Sequence, residues 1–351
     1  MRAARGAVVA AAALALVLAG AAGVNGAVDA KKKKTVKKIA KRGVTVVRRG
    51  RIAMWTIHYR AHNGTRRAAY VLLPSKYGPR DAARLPLVIS PHGRGVGGRA
   101  NTAVWGLLPA IGDFAVVSPE GQGRKLGRYS WGSPGQIEDL ARMPSIVHAA
   151  LPWLHVNRRK IYAFGGSMGG QETLLLVARH PKLLAGAAAF DAVVDLGLQY
   201  RKFPLLGCGK NCRKRWAGPF GRSLQALARE EIGGSPGRYP GRFARRSPWT
   251  YRNRIAASCV PLQLWWSPAD KVVIDQRRQS GRFFWQLRQL NPTGPIQAFV
   301  GFWMHSAEMR AKTRLPLALA KFGLIRPTEK TLAAPALHVV PPPPEECSPY
   351  A

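Results

Sequence analysis

Carboxylates are scarce in this chain: 17 Asp and Glu stand against 55 Lys and Arg in 351 residues, a formal charge of +38. A surface of this kind attracts polyanions without selecting among them, so non-specific contact with anionic cell-wall polymers is expected. The basic residues are spread along the chain, without a recognition helix or a basic motif interleaved with aromatics, which argues against specific nucleic-acid binding. Cysteine is sparse too. Cys208 and Cys212 are separated by three residues, with no second such pair and no nearby histidine, so the usual zinc arrangement is missing. The four cysteines suit an oxidising compartment, with Cys208 stapled to Cys212 and Cys259 tying down the tail at Cys347. Internal repeats are absent. So is a long apolar run: Ala7 to Ala19 holds only Ala, Val and Leu but falls short of the roughly 20 residues that span a bilayer. Preceded by Arg2 and Arg5 and followed by small residues, it reads as an export signal cut near Val28-Asp29-Ala30, with no cysteine behind it to take a lipid.

What is present is ample apolar material, 46% of residues, for one large α/β domain. Lys31 to Arg42 is too charged to pack and reads as a flexible basic segment, 31–43. From Val44 strands are expected at 44–47, 52–59 and 68–73, the last two joined by a turn at Asn63-Gly64. Strands at 85–90, 114–118, 161–164, 184–190, 261–266 and 296–300 then alternate with helices near 101–110, 137–151, 171–180, 277–290 and 307–322. That alternation predicts an α/β fold with a mostly parallel twisted sheet covered by helices on both faces, over 44–325. The stretch 196–257 breaks the rhythm; rich in Gly, Pro, Arg and aromatics, it reads as a packed cap inserted over a site. A Pro-rich tail, 326–351, is expected to be extended.

The sharpest signal is Gly165-Gly166-Ser167-Met168-Gly169-Gly170, placed between the apolar run Ile161 to Phe164 and the helical stretch from Gln171. A strand that reverses into a helix brings two backbones together, so side chains two before and two after the serine would collide. Gly165 and Gly169 remove them, and the Ser167 hydroxyl is left at the mouth of the sheet. A serine hydroxyl is a weak nucleophile: it needs a base to take its proton and a third group to hold that base.

On this topology the partners follow in the order serine, acid, histidine, which leaves His305 and His338 as bases. His338 sits in the tail, whereas His305 lies in the turn after the last expected strand. Candidate acids are Asp191, Asp195, Asp270 and Asp275. Asp270 directly follows a strand and is favoured, with Asp191 in reserve and Asp275 read as a helix cap. The developing oxyanion needs amide donors: Met168, at a helix N-terminus, and Arg94, in the glycine-rich loop Pro91 to Gly98.

His92-Gly93, Gly165 to Gly170, Asp270 and His305, in this order over about 44–322, resemble the α/β-hydrolase superfamily. Asn157 to Gly170 is similar to secreted esterases of the polyester depolymerase and feruloyl esterase kind, and to the catalytic domain of prolyl oligopeptidase-type peptidases. The resemblance implies Ser167 as nucleophile, Asp270 as acid, His305 as base, Arg94 and Met168 as oxyanion donors, and no metal or organic cofactor. It implies an exported hydrolase of small or polymeric esters or short peptides, with Trp131 and aromatics of the insert as pocket walls. The chain has no room for a propeller ahead of the hydrolase domain, so gated endopeptidase action is not expected. Acyl transfer in the cell envelope and a non-catalytic cationic envelope-binding protein are the other readings.

Overall fold

The computed structural model describes residues 43–81, 83–121, 131–206, 219–328, 337–344 and 346–347, within which ten strands form one sheet ordered β1-β2-β3-β5-β4-β6-β7-β8-β9-β10. The strands are β1 (Thr45–Arg49), β2 (Ile52–Arg60), β3 (Arg66–Pro74), β4 (Ala83–Ile89), β5 (Ala115–Pro119), β6 (Leu154–Gly166), β7 (Gly186–Phe190), β8 (Leu262–Trp266), β9 (Ile296–Val300) and β10 (His338–Val340). From β5 to β9 all neighbours run parallel, while β1, β2, β3 and β10 pair antiparallel. The expected export signal, the basic segment up to residue 42, and Cys208 and Cys212 lie outside the described residues. Among the described residues no helix is long and apolar enough to cross a membrane.

Strand side chains alternate between the two faces, and here both faces are apolar. Leu87 and Ile89, Ala187 and Ala189, and Leu262 and Leu264 enter one buried cluster, whereas Val88, Ala188 and Trp265 enter the other. Across β7, β8 and β9, Phe190, Trp265 and Phe299 stack, with centroids 5.2 and 3.9 Å apart. The main helices are α1 (Pro134–Ala150), α2 (Met168–Arg179), α3 (Leu196–Lys202), α4 (Pro219–Ile232), α5 (Arg282–Leu290) and α6 (Leu315–Lys321). The cap, carrying α3, α4 and shorter turns, has its own core around Tyr200, Phe203, Leu224, Ile232 and Phe243, continuous with Trp131 and Met168.

Several expected elements differ. The helix expected over 307–322 is helical only in Leu315–Lys321; residues ahead of it form turns. Pro316 suits a first helical turn and not an interior, and the Thr313 hydroxyl donates to the carbonyls of Ala307 and Glu308. The helix near 101–110 is split, because Gly106 takes a φ of 50°. Residues 277–281 form a π-helical turn ahead of α5, and Asp275 has a φ of 66° outside it, with no side-chain cap at that N-terminus. Strand β6 is longer than expected: its polar first half pairs with Ala83 to Leu85 of β4, and the ladder shifts register around Pro86, which has no amide to donate. The tail is not merely extended, since β10 extends the sheet beyond β9.

Candidate active site

All the candidate groups sit at the carboxyl ends of the parallel strands, the edge where sheets of this kind bind ligands. Ser167 follows β6 with φ 59° and ψ −124°, a conformation that a side chain adopts only under constraint. Its N–H donates to the Phe190 carbonyl at 2.8 Å, which pins the turn to β7. The glycines are demanded by space. A β-carbon on Gly165 would stand 2.2 Å from the Gly169 carbonyl oxygen, and one on Gly169 would stand 2.4 Å from the Pro91 oxygen. Met168 opens α2, so its amide is among those without a partner inside the helix. Its side chain is buried in the core of the cap.

Asp270 and His305 are brought together by the loops after β8 and β9. His305 Nδ1 and Asp270 Oδ2 lie 2.8 Å apart, the carboxylate buried and the ring 18% exposed. Asp270 also accepts from the amides of Val272 and Val273 at 2.8 and 3.1 Å, which orient it. Burial opposes the imidazolium, but the Asp270 charge and hydrogen bond, with a further contribution from Asp191, outweigh it and leave the His305 pKa raised. The His305 loop approaches the elbow: a β-carbon on Gly166 would lie 3.1 Å from Ser306 Oγ. Ser167 Oγ takes no hydrogen bond among the described residues, so its hydroxyl is free to turn.

The loop after β4 lies against the elbow as well. A β-carbon on Gly93 would lie 3.8 Å from Ser167 Cβ. His92 Nε2 accepts from the Gly121 amide at 2.8 Å, so its proton is on Nδ1 and faces the Gly93 carbonyl at 3.0 Å. Arg94, expected as an amide donor, has a second role that its side chain reveals. Its guanidinium pairs with Glu231 of α4 at 3.2 Å and lies 5.2 Å from the Trp131 ring centroid. That couples the cap to the loop beside Ser167. Trp131 packs edge-on to Phe203 at 5.6 Å, and Tyr200 to Phe243 at 5.4 Å, in the core of the cap, while Phe243 and Trp249 of the cap also line a cavity with Asp195 and Ser247.

Asp191, the reserve acid, does not bond the histidine. Its oxygens accept from Ser267, Trp303 and Ser306. Asp191, Asp270 and His305 are the one group among the described residues able to share a cation, with ligand atoms within 4.8 Å of one another. Their atoms are engaged with each other and with loop amides, and that accounts for the clustering. Asp195 caps α3 instead, accepting from the Leu198 amide at 2.9 Å.

No protein-family model matches the chain, and no curated protein matches it in sequence. Solved structures do. Fungal esterases from Rhizomucor miehei superpose with a TM-score of 0.58 at 12% identity, over 80% of this chain and 84% of theirs. A puromycin-hydrolyzing peptidase from Mycobacterium tuberculosis gives 0.55 at 18% identity, over 80% of this chain and 39% of its own. Dipeptidyl peptidase 4 from Porphyromonas gingivalis gives 0.51 at 17% identity, over 77% of this chain and 35% of its own. This chain therefore spans about a third of that peptidase's length. The strand order, the crossed β4 and β5, and these likenesses agree: the chain has the α/β-hydrolase fold.

Proposed function

We propose that the protein is an exported serine hydrolase that cleaves carboxylic esters through an acyl-enzyme. The observation that carries this reading is the 2.8 Å contact between His305 and Asp270, on loops packed against the strained turn that presents Ser167. In this mechanism His305 Nε2 takes the Ser167 proton as Oγ attacks the ester carbonyl, and Asp270 stabilises the imidazolium that forms. The tetrahedral oxyanion is met by the amides of Met168 and Arg94. His305 then protonates the leaving alcohol, and the carbon–oxygen bond breaks to leave an ester on Ser167. Water, deprotonated by the same ring, attacks that ester and restores the serine. Export rests on residues 1–30, and ester over peptide chemistry is supported by the likeness to the Rhizomucor esterases, which extends over most of both chains.

The test is a p-nitrophenyl ester panel, with a proline-containing peptide panel beside it, on wild type, Ser167→Ala and His305→Ala. We expect each substitution to lower kcat by about 10³-fold or more, and a fluorophosphonate to label Ser167 alone. Since the base must be neutral and its pKa is raised, kcat/KM should fall with acid from a midpoint above the ordinary 6.5. Equal rates for wild type and Ser167→Ala would end this reading, and peptide turnover without ester turnover would replace it with a peptidase.

A further inference from the structure

Among the described residues, Asp191 is the one buried carboxylate at the sheet edge to which the mechanism above gives no task. It follows β7 directly, is fully buried, and has a φ of 44°. Its own amide donates to the Trp265 carbonyl of β8 at 2.7 Å. Oδ1 accepts from the Ser267 amide at 3.0 Å, three residues before Asp270. Oδ2 accepts from Trp303 Nε1 at 2.9 Å and from the Ser306 amide at 2.7 Å, and these two residues straddle His305. One carboxylate thus holds both loops that carry the acid and the base. Because both oxygens face N–H donors and the ring is already bonded to Asp270, Asp191 cannot serve as the acid itself.

We propose that Asp191 is a positioning residue, clamping the Asp270 loop to the His305 loop and holding the imidazole over Ser167. The inference rests on the reading of Ser167 as nucleophile. The titratable groups that face Asp191 are Asp270 and His305. Burial, reinforced by the Asp270 charge, raises the Asp191 carboxyl to about 7, while His305 and the Ser306 and Trp303 donors pull the other way. Its charge in turn favours the imidazolium. Removing that charge while leaving the loops intact therefore lowers the pKa of the base.

Asn tolerates a left-handed backbone about as well as Asp, so Asp191→Asn keeps the turn. Its amide offers one acceptor where the carboxylate offers two, and sets an NH2 against an N–H donor. We expect kcat on p-nitrophenyl acetate to drop by about 10- to 100-fold, the cost of a misplaced base. KM should stay within about twofold, and the acid limb of kcat/KM should move to lower pH. Ser167→Ala is assayed in parallel. If it matches wild type, the hydrolase reading fails and this inference with it. If it is dead while Asp191→Asn keeps wild-type kcat and an unmoved limb, only the role of Asp191 is overturned. Should Asp191→Asn fail to fold by circular dichroism, Trp303→Phe decides, since it removes one donor and keeps the carboxylate. A fall in kcat at constant KM supports the clamp, and wild-type kcat refutes it.

Discussion

Glu172 illustrates how far a side chain's chemistry departs from its letter. Gln171, Glu172 and Thr173 are polar letters, yet every residue from Met168 to Ala178 is buried. One Glu172 oxygen accepts from the Gly132 amide, while Oε1 has no partner among the described residues. Burial raises its pKa from 4.5 to about 8. The folded state thus holds a proton that the unfolded chain releases, so the stability tied to this group is complete below pH 4.5 and lost as pH rises through 8. Glu172→Gln should cancel that loss, on the order of 4 kcal/mol at pH 9 by the size of the shift, and change little at pH 5. Denaturant unfolding of both proteins at the two pH values checks this, and parallel pH dependence would refute it. Ser167 and His305 were legible because each type is demanded at one point of a known order. The Arg94 to Glu231 pair was not, since β5, β6 and β7 lie between its partners in sequence and no pattern links them.

Elements were legible where one rule governed them. Strands β5, β7 and β8 fall close to their apolar runs because a strand buried on both faces must be apolar throughout. The helix expected over 307–322 failed because tertiary bonds overrode local preference: the Ser306 amide goes to Asp191, and Arg314 pairs with Glu308 at 2.8 Å. The elbow shows the opposite case, where local geometry dictates the residue. Gly169→Ala would drive a β-carbon to 2.4 Å from the Pro91 oxygen, backbone that cannot swing aside. The displaced segment is the one that carries His92 to Arg94, so we expect kcat to fall by about 10²-fold, as when an oxyanion donor is lost. Gly237→Ala is the matched control: nothing lies within 4 Å of its β-carbon, so activity and stability should be unchanged. Comparable activity in the two variants would refute the steric account.

Cys259 and Cys347 are bonded, with Cα atoms 5.6 Å apart and a sequence separation of 88. The bridge anchors the segment that supplies β10, so the tail is part of the sheet's edge. Closing a loop of this length restricts the unfolded chain by roughly 4–5 kcal/mol on the chain-entropy model. Replacing both cysteines by alanine should therefore cost about 2–5 kcal/mol in denaturant unfolding, and loss of β10 pairing should appear as faster amide exchange at Phe299 and Val339; an unchanged midpoint would refute the anchoring. Composition and local pattern were enough to specify the layered α/β architecture, the glycine-flanked turn at Ser167 and the small set of candidate acids and bases, because periodicity, glycine spacing and chain order are properties of neighbouring residues. They ranked Asp270 ahead of Asp191 from its place after a strand but could not show its contact with His305, and they were silent on the clamp that Asp191 forms and on the cap's attachment through Arg94. Those contacts join residues 35 to 115 positions apart in His305–Asp270 and Ser306–Asp191. Which distant donor meets which carboxylate is settled only when the sheet lays its strand ends side by side and burial leaves each polar group one partner within reach.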